Sequence, residues 1–555
     1  MNQKNIFLSL LFVAFISNGA WIDGNAQDGM RQCLQDEFTA IYVLNLRGNQ
    51  RTSGELSRKE GGKIFGSGSR TPISITFLVK NPAKQGKATI HYYDIGDYLT
   101  REQKLKMVRD FRSVRNVKWE EILSNEKNDW INLRDGVFDT MIPIQPEKKF
   151  DRNAHSFFIL NSMGIGTSRD SWVYNNSKCS LERNMQYTLL EYRQQIKKVQ
   201  EYKGEITNIQ DIITNDPSKI CWSSSLLPKV AKGVQILYDS KAIYDAIYRP
   251  FQKMNLYFGE AFIHRRGQYD NLIVKGFENI CICVSGEGGS KDKTCFITKL
   301  ITDLNCLDAG TQCFPLYWYE ENKNKQKNLF DNFTEDDYIR HDGITDWILN
   351  EVRTRYGTKT ITKEMIFYYV YGLLHSKDYR ERFAADLKKS LPRIPIVESL
   401  NDFMDFYQAG KALADLHLNY ETVPPCPEVV EHAASALRGS MDDYDYFRVD
   451  PKMRFKSKDD KSTIIYNGNI TLTNIPEKAY EYVVNGKSAI EWIVERYCVS
   501  TDKKSLIKND CNDWAREHQK PRYIIDLLLS VINLSVQTVD IVNALPRQNF
   551  EDAPL

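Results

Sequence analysis

The spacing of hydrophobic positions separates an N-terminal stretch of the chain from a longer C-terminal one. Residues 11–16 form a continuous apolar run, which is typical of a buried strand in a parallel sheet. Residues 28–38 have helical spacing, and 41–44, 73–79 and 88–93 have the pattern of further strands. This strand-helix-strand order predicts an α/β unit, part of a twisted sheet, that closes near residue 150.

Beyond residue 150, short strands mix with helices, and helices predominate toward the C-terminus. Apolar residues recur at three- and four-residue intervals in 363–374, 377–387 and 401–419. The polar, Lys- and Asn-rich residues 321–335 predict an exposed loop and an internal boundary near 321–345. The sequence therefore predicts a mixed α+β domain with a helical C-terminal region.

The first residues of the chain admit two interpretations. Lys4, the apolar run 6–16 and residues 17–20 are similar to a secretory signal with its cleavage site. Asn18 would then occupy a position that requires a small side chain, and the run continues without a break into 21–24. The eleven apolar residues are too few to span a bilayer. We favour an internal strand, a cytoplasmic protein and no membrane contact, and the secreted alternative stays open.

Composition narrows the classes of protein without choosing among them. A chain of 555 residues predicts two or three domains, and a net charge of +2 neither supports nor excludes nucleic-acid binding, because phosphate contacts are local. The 11 cysteines include no C-x-x-C pair, which fits a reducing compartment. The 8 histidines do not cluster with acidic residues at metal-binding spacing, so we expect no metal site.

The most informative segment is an Arg-, Gly- and Asn-rich loop, 45–72, between two predicted strands. Long loops at the edge of an α/β sheet are usually functional, and glycine lets backbone amides approach a phosphate or an extruded base. A solvated loop with incidental charge is an equally weighted alternative. The candidate DNA-binding residues of this segment are Arg47, Asn49, Arg51 and Arg70.

The sequence offers no complete motif for catalysis. Residues 65–68, Phe-Gly-Ser-Gly, are similar to a glycine turn for S-adenosylmethionine but do not follow a strand ending in an acidic residue, so we reject that interpretation. Residues 285–291 lack the G-K-[ST] ending of a phosphate loop, and we expect a turn there. H-E-x-x-H, G-x-S-x-G and the Asn-Pro-Pro-aromatic tetrapeptide of aminomethylating enzymes are absent. We therefore assign no catalytic residue.

Strings distributed over nearly the whole chain resemble type ISP restriction-modification enzymes. Residues 15–24, 45–52 and 61–72 are similar to the back half of the adenine methyltransferase domain, and the resemblance assigns 1–150 to that domain. The remainder, 151–555, is similar to the C-terminal specificity, or target-recognition, domain of the family. The matching strings in that domain are 167–175, 248–251, 312–317, 367–376, 378–383 and 414–417.

The resemblance implies that the chain is a fragment. Family members are single long chains with a nuclease, a helicase-like motor, an adenine methyltransferase and a target-recognition domain. The S-adenosylmethionine loop and the catalytic tetrapeptide would lie upstream of Met1, so we expect no cofactor on this chain alone. The implied partners are double-stranded DNA and the missing upstream polypeptide.

The resemblance also implies individual DNA contacts. An aromatic residue in the later part of related catalytic domains packs on the flipped adenine, and Phe65 is our candidate, with a plain hydrophobic anchor as the alternative. Arg47, Arg51 and Arg70 would contact phosphates beside that base. Candidates in the target-recognition domain, for which core packing or a solvated turn are competing interpretations, are Arg169, Trp172, His264, Arg265 and Arg266.

Three functional hypotheses result. The first is a DNA-recognition module of an adenine-specific restriction-modification methyltransferase, inactive in methyl transfer by itself. The second is an active adenine methyltransferase subunit once an upstream polypeptide complements it. The third, more remote, is a secreted binding protein.

Overall fold

The structure is a mixed α/β protein with several separate sheets. The computed structural model describes residues 11–52, 54–66, 68–322, 337–433 and 441–550. Most of the loop expected at 321–335 lies outside the described residues, so that expectation stays a prediction.

The N-terminal sheet has five strands and apolar contacts on both faces. Ile41 and Val43 pack in one cluster with Leu34 of helix Asp28–Glu37, whereas Leu44 packs on the opposite face with Leu105 of helix Arg101–Phe111. The spatial order is β1-β3-β2-β4-β5, with β2 and β4 parallel and the other pairs antiparallel. In chain order the strands are β1 (Leu11–Asn18), β2 (Ala40–Asn45), β3 (Ile73–Lys80), β4 (Thr89–Asp94) and β5 (Glu120–Ile122).

Strand β1 departs from the sequence prediction. Residues 11–16 do form a strand, but it pairs antiparallel with β3, so the predicted parallel pairing is wrong there, and the strand lies at the edge of the sheet among the described residues. Within the described residues, no strand pairs with the outer edge of β1. Phe12 is 55% exposed and Ile16 is 60% exposed, and Leu11 and Val13 on the other face are also exposed. An apolar strand exposed on both faces is a surface that can be covered by further chain.

The segment between β2 and β3 is more ordered than the predicted loop, because it contains the helix Gly54–Glu60. Gly61 has a positive φ of 68°, and a Cβ there would lie 2.2 Å from the carbonyl oxygen of Leu99. A Cβ on Gly62 would lie 2.4 Å from the backbone nitrogen of Arg101. These two glycines therefore serve close packing of the backbone, which the sequence prediction of phosphate approach did not foresee.

Small, mainly antiparallel sheets make up the β-structure of the C-terminal part. The first four-stranded sheet has the spatial order Ile301–Thr302, Ile243–Arg249, Gln252–Tyr257 and Tyr174–Asn175. The second has the order Cys295–Thr298, Cys281–Val284, Gln312–Pro315 and Ser162–Met163, and the third Val430–Ala433, Ile470–Thr473, Ile464–Ile465 and Arg454–Phe455. Two-stranded pairs are Tyr317–Glu321 with Tyr338–Asp342, Ile142–Pro143 with Arg393–Ile394, Val483–Val484 with Lys487–Ser488, and Val499–Thr501 with Lys508–Asp510.

Helices surround these sheets, and two of them cross unusually closely. A Cβ on Gly372 would lie 2.2 Å from the carbonyl oxygen of Phe406, and one on Gly410 would lie 1.9 Å from that of Tyr368, so both positions exclude larger residues. The helices of the C-terminal part are Gly136–Thr140, Asp170–Val173, Lys178–Glu201, Leu227–Ala231, Tyr269–Leu272, Asp346–Tyr356, Lys363–His375, Lys377–Arg382, Ala384–Lys389, Leu400–Leu418, Asp443–Tyr446, Ala489–Arg496, Cys511–Glu517 and Tyr523–Asn543.

The last of these helices, Tyr523–Asn543, is long and apolar enough to cross a membrane by length and composition alone. However, 67% of its most apolar stretch is buried inside the protein, where Ile525, Leu528 and Val531 are completely covered. Core packing accounts for its apolar character.

A buried ionic cluster joins the N-terminal sheet to the C-terminal part. The fully buried Asp129 accepts hydrogen bonds from Arg134 Nε at 2.7 Å and from Lys389 Nζ at 3.0 Å, and Arg31 lies 3.6 Å away. Lys389 also pairs with Asp23 at 2.9 Å. Burial alone would raise the pKa of Asp129, but the hydrogen bonds from Arg134 and Lys389 lower it to about 2. The cluster therefore stabilises the junction when Asp129 is ionised.

Apolar side chains before residue 150 already pack against the C-terminal part. Phe138, Met141 and Ile144 belong to the same buried cluster as Ile366 and Leu413 of the C-terminal helices, not to the clusters of the N-terminal sheet. The border between domains at 150 stays a prediction.

Candidate nucleic-acid interface

Two polar clefts contain most of the residues that the sequence singled out. The N-terminal cleft, about 870 Å³, lies between the loop after β2 and the C-terminal part, and its lining includes Arg47, Asn49, Arg51 and Lys389. The C-terminal cleft, about 960 Å³, has a lining that includes Arg169, Trp172, His264, Arg265 and Arg496. Arg70, Phe65 and Arg266 line neither cleft.

The arginine closest to the sheet in the N-terminal cleft is already paired. Arg47 has a positive φ of 53°, and its Nε donates to Asp94 at 2.6 Å while its Nη1 pairs with Asp97. Two carboxylates thus neutralise its guanidinium. A phosphate would have to displace them to bind Arg47.

The other candidate residues of this loop differ in the hydrogen bonds and ion pairs that their side chains already make. Asn49 holds the turn, because its Oδ1 accepts from the backbone nitrogen of Arg51 at 3.0 Å. Arg70 is exposed and donates from Nη2 to the carbonyl of Gln50 at 2.8 Å. The exposed Arg51 side chain makes no hydrogen bond or ion pair within the described part of the chain. Arg51 is therefore the available cation of the N-terminal cleft.

Phe65 projects from the same loop beyond the packed glycines. It is 47% exposed, and the following Gly66 has open space around its Cβ position. The preceding Ile64 is buried and its carbonyl accepts from Arg101 Nε at 2.8 Å, which anchors the base of this segment. The ring is thus presented to solvent from a fixed point.

The residue at the centre of the C-terminal cleft is a buried arginine with few partners. Arg169 is 3% exposed, its Nη2 donates to Ser223 Oγ, and its guanidinium lies 5.6 Å from the ring centroid of Phe262. Within the described residues, neither Nε nor Nη1 of Arg169 has a hydrogen-bond partner. Burial lowers the pKa of Arg169 to about 10. A buried, incompletely bonded guanidinium costs folding free energy, which makes Arg169 a candidate for ligand binding.

Further polar atoms of this cleft are also buried without partners. Among the described residues, Nδ1 of His264, Oε1 of the 5% exposed Gln252 and Nε of Arg496 have no hydrogen-bond partner. In the N-terminal cleft the only described atom of this kind is Asp23 Oδ1, and that carboxylate forms an ion pair with Lys389 at 2.9 Å. The residues that line the C-terminal cleft therefore include several buried polar atoms without partners among the described residues.

The remaining candidates near this cleft have distinct environments. Arg265 is exposed at the rim, where its backbone pairs with Gly166 at 2.8 Å, and its guanidinium has no partner within the described residues. Trp172 is 3% exposed and belongs to the core, with Tyr187 stacked beside it. Arg266 pairs with Asp270 at 2.6 Å and covers the ring of Phe258 at 3.6 Å.

An acidic network lies beside Arg169 on the floor of the cleft. Asp303 accepts from Arg249 Nη1 at 2.8 Å and from Tyr174 Oη at 3.3 Å. Asp170 accepts from Tyr248 Oη at 3.1 Å. Burial raises the pKa of Asp303 to about 6, although Arg249 opposes this shift. These groups bond with one another, so the unpartnered atoms of the cleft belong to other residues, among them Arg169.

Sequence reasoning missed Gln252 and Arg496. Neither lies in a charged or glycine-rich string, and they reach the cleft only because strand Gln252–Tyr257 and helix Ala489–Arg496 meet there. Phe251, which precedes Gln252, gave the only signal, because the string 248–251 was among those that resemble the family.

Two glycine-containing turns were considered for ligand binding. Gly61 and Gly62, which precede the first of them, pack against the backbone of Leu99 and Arg101. Residues 285–291 form a turn, as expected, whose backbone nitrogens at Ser290 and Lys291 donate to Asp308 at 2.6 and 3.0 Å. Among the described residues, no group of three or more His, Cys, Asp or Glu side chains could hold a metal ion.

The fold is similar to that of solved restriction-modification enzymes. Residues 156–527 match the family model of the Type ISP C-terminal specificity domain. The chain belongs to the Type ISP restriction-modification family, as the sequence strings predicted. No curated protein matches the chain.

Solved structures agree with this assignment. The chain is 38% identical to a nuclease-deletion mutant of the Type ISP enzyme LlaGI in complex with a DNA substrate mimic, with a TM-score of 0.83 over 98% of this chain. It is 36% identical to the ATP-dependent Type ISP enzyme LlaBIII bound to DNA, with a TM-score of 0.83 over 97%. It is 26% identical to DrdV in a DNA complex, with a TM-score of 0.79 over 98%. The chain spans 47%, 33% and 51% of these three chains, respectively.

Proposed function

We propose that this chain recognises double-stranded DNA sequences for a restriction-modification system and does not transfer methyl groups by itself. The match to a specificity domain supports the first part, as do DNA-bound relatives that align over almost the whole chain. The absence of an Asn-Pro-Pro-aromatic tetrapeptide from the sequence supports the second part.

One observation carries the proposal: the unpartnered polar atoms converge in the C-terminal cleft. The unpartnered Nε and Nη1 of Arg169 can each donate to a separate acceptor, such as an acceptor on a base edge or a phosphate oxygen. The free carbonyl oxygen of Gln252 accepts a donor that a phosphate lacks and a base edge supplies. The set therefore favours a base edge over a phosphate alone.

The arginine side chains without a carboxylate partner would bind the phosphates around such a base. Arg265 at the rim of the C-terminal cleft and Arg51 in the N-terminal cleft have no carboxylate to release before they bind. Arg47 and Arg266 would first have to give up Asp94 and Asp270, so we rank them lower. Arg70, Asn49, His264 and Trp172 remain candidates for positioning.

We further propose that the N-terminal sheet is the back half of an adenine methyltransferase sheet and continues beyond β1. Among the described residues no strand pairs with the outer edge of β1, and its apolar residues are exposed on both faces, which is what an interior strand shows without its neighbours. Phe65 would then stack on the extruded adenine, while the cofactor and the catalytic groups belong to the missing half.

Equilibrium binding to a labelled duplex tests DNA recognition, and radiolabelled S-adenosylmethionine in the same samples tests methyl transfer. We expect binding that weakens steeply with salt, and no methyl transfer. Absence of duplex binding would refute recognition, and methyl transfer by the chain alone would refute its inactivity.

The second hypothesis, a methyltransferase subunit that becomes active when an upstream polypeptide complements it, depends on β1 and needs its own experiment. The methyltransferase front half of a related Type ISP enzyme is supplied in trans, with wild-type chain or with the double variant Phe12→Ser/Ile16→Ser. We expect the double variant to lose complex formation while keeping DNA affinity. The matched control is Leu123→Ser, because Leu123 is 80% exposed but lies outside β1. Equal complex formation by all three chains would contradict the role of β1.

A further inference from the structure

A basic hairpin forms one wall of the C-terminal cleft. Its strands are Val499–Thr501 and Lys508–Asp510, and the cleft lining includes Ser500, Lys504 and Asn509 from it. Nothing in the sequence strings singled out this hairpin.

Asp502 fixes the turn of the hairpin from inside. Its Oδ1 accepts from the backbone nitrogens of Lys504 and Ser505 at 3.1 and 2.7 Å and from Ser505 Oγ at 2.8 Å. These hydrogen bonds lower the pKa of Asp502, with the backbone bond from Ser505 as the main cause. The turn is therefore held in one conformation with the Asp502 carboxylate engaged, and its two lysines, Lys503 and Lys504, are exposed.

The ammonium groups of these lysines form no ion pairs in the part of the chain that the structure describes. Within the described ranges, neither Lys503 nor Lys504 lies within 4 Å of a carboxylate oxygen, whereas Lys508 pairs with Asp510 at 3.0 Å. Glu495, an acidic residue at this wall, pairs with Arg496 at 3.1 Å and with Lys487. Asp502 interacts electrostatically with Lys504 and offsets part of the positive charge, so the turn keeps a net positive charge.

A second basic segment continues from the hairpin. The backbone nitrogen of Val499 donates to the carbonyl of Pro451 at 2.8 Å, and Lys452 forms an isolated bridge with Cys498. Beyond that bridge the side chains alternate: Met453 is 2% exposed, while Lys452 and Arg454 point away from the core and are exposed. No ion pair involves Lys452 or Arg454 among the described residues.

We propose that Lys503, Lys504, Lys452 and Arg454 form a phosphate track that binds the DNA backbone flanking the C-terminal cleft. Phosphate contacts position a protein on the duplex without reading sequence, and each neutralised phosphate releases condensed counterions. The track is separate from the base-reading atoms of Arg169 and Gln252, because its groups are exposed and purely cationic. This inference rests on the proposed DNA recognition.

The test compares salt dependence in two double variants of the full chain. Lys503→Gln/Lys504→Gln removes two track charges, and Lys197→Gln/Lys198→Gln removes two exposed charges from helix Lys178–Glu201, which does not line the cleft. The probe is a labelled duplex of random sequence, titrated at several salt concentrations. We expect the track variant to lose about tenfold or more in affinity at 0.1 M salt and to lower the salt slope by about 1.8. The control should match the wild type.

The outcomes separate this inference from the proposed function. If the wild type fails to bind duplex, DNA recognition itself is refuted. If the wild type binds and the track variant keeps its affinity and salt slope, only the track is refuted. A second variant, Lys452→Gln/Arg454→Gln, should show the same loss, and thermal unfolding of both variants at the wild-type temperature would show that the loss is not misfolding.

Discussion

The two clefts differ in whether their charged groups are paired within the protein. In the N-terminal cleft the charged groups largely satisfy one another: Arg47 pairs with Asp94 and Asp97, and Lys389 with Asp23 and Asp129. In the C-terminal cleft Arg169 is as buried as Lys389 but retains two nitrogens without a partner among the described residues. Paired charges stabilise the fold, whereas an unpaired buried donor lowers stability until a ligand arrives.

This contrast distinguishes cations that stabilise the fold from cations that are available to bind DNA. A bound phosphate or base edge must offer more than the partner it displaces, so Arg47 starts at a disadvantage and Arg169 does not. Charge in a sequence therefore identifies candidates, and hydrogen-bond partners decide among them.

The largest expected effect concerns the paired charges around Asp129. Asp129→Asn removes the carboxylate that Arg134 and Lys389 share at the junction, leaving buried cations with reduced compensation. We expect a loss of about 3–5 kcal/mol in the free energy of unfolding at pH 7, measured by denaturant unfolding. A change of less than about 1 kcal/mol would contradict a junction held by ionised Asp129.

The pH dependence sharpens the same prediction. The folded-state pKa of Asp129 is about 2, below its ordinary value of 3.8, so its contribution is complete above pH 4. It is lost as pH falls toward 2, because the carboxylate is then protonated in both states. The stability difference between wild type and Asp129→Asn should therefore shrink between pH 4 and pH 2.

Substitution of two different arginines distinguishes a role in folding stability from a role in DNA binding. Arg169→Met removes an incompletely bonded buried charge, so we expect unchanged or higher thermal stability together with a loss of about 10- to 100-fold in specific DNA affinity. Arg266→Met removes a residue bound to Asp270 and Phe258, so we expect lower stability and unchanged affinity. Calorimetry and duplex titration on both variants measure the two effects. Reversal of this pattern, with Arg169→Met the less stable variant, would make Arg169 a structural residue.

The smallest effect is expected within the N-terminal cleft. Arg51→Gln should reduce duplex affinity several-fold and lower the salt slope by about 0.9, since it removes one free cation. Arg47→Gln should leave the salt slope unchanged, because Asp94 and Asp97 already neutralise that guanidinium. Titrations at three salt concentrations suffice. Equal slopes for the two variants would show that pairing in the free protein does not predict phosphate contact.

Local patterns in the sequence predicted many elements of the fold. Helices at 28–38, 363–374 and 401–419 were expected from spacing, and the structure has Asp28–Glu37, Lys363–His375 and Leu400–Leu418. The spacing of apolar residues alone, however, could not show that 377–387 breaks into two helices, Lys377–Arg382 and Ala384–Lys389. Local periodicity indicates elements well and their interruptions poorly.

Long-range placement limited the prediction of the clefts. Residues 11–16 have the apolar character of a buried strand, but burial depends on neighbours that are distant in sequence, and β1 lies at an edge. Similarly, Arg47 and Arg51 are alike in sequence, and only the approach of Asp94 at the end of β4 and of Asp97 beyond it distinguishes the paired Arg47 from Arg51. Gln252 and Arg496 meet only through tertiary folding, which no local pattern encodes.

The most direct test of DNA recognition is a selection of bound duplexes from a random-sequence pool at fixed salt, using the wild-type chain and Arg169→Met. We predict that the wild type enriches one short sequence containing a guanine and that Arg169→Met binds duplex without that preference. Wild-type binding with no enriched sequence, or the same enriched sequence with Arg169→Met, would contradict the assignment of sequence reading to the C-terminal cleft.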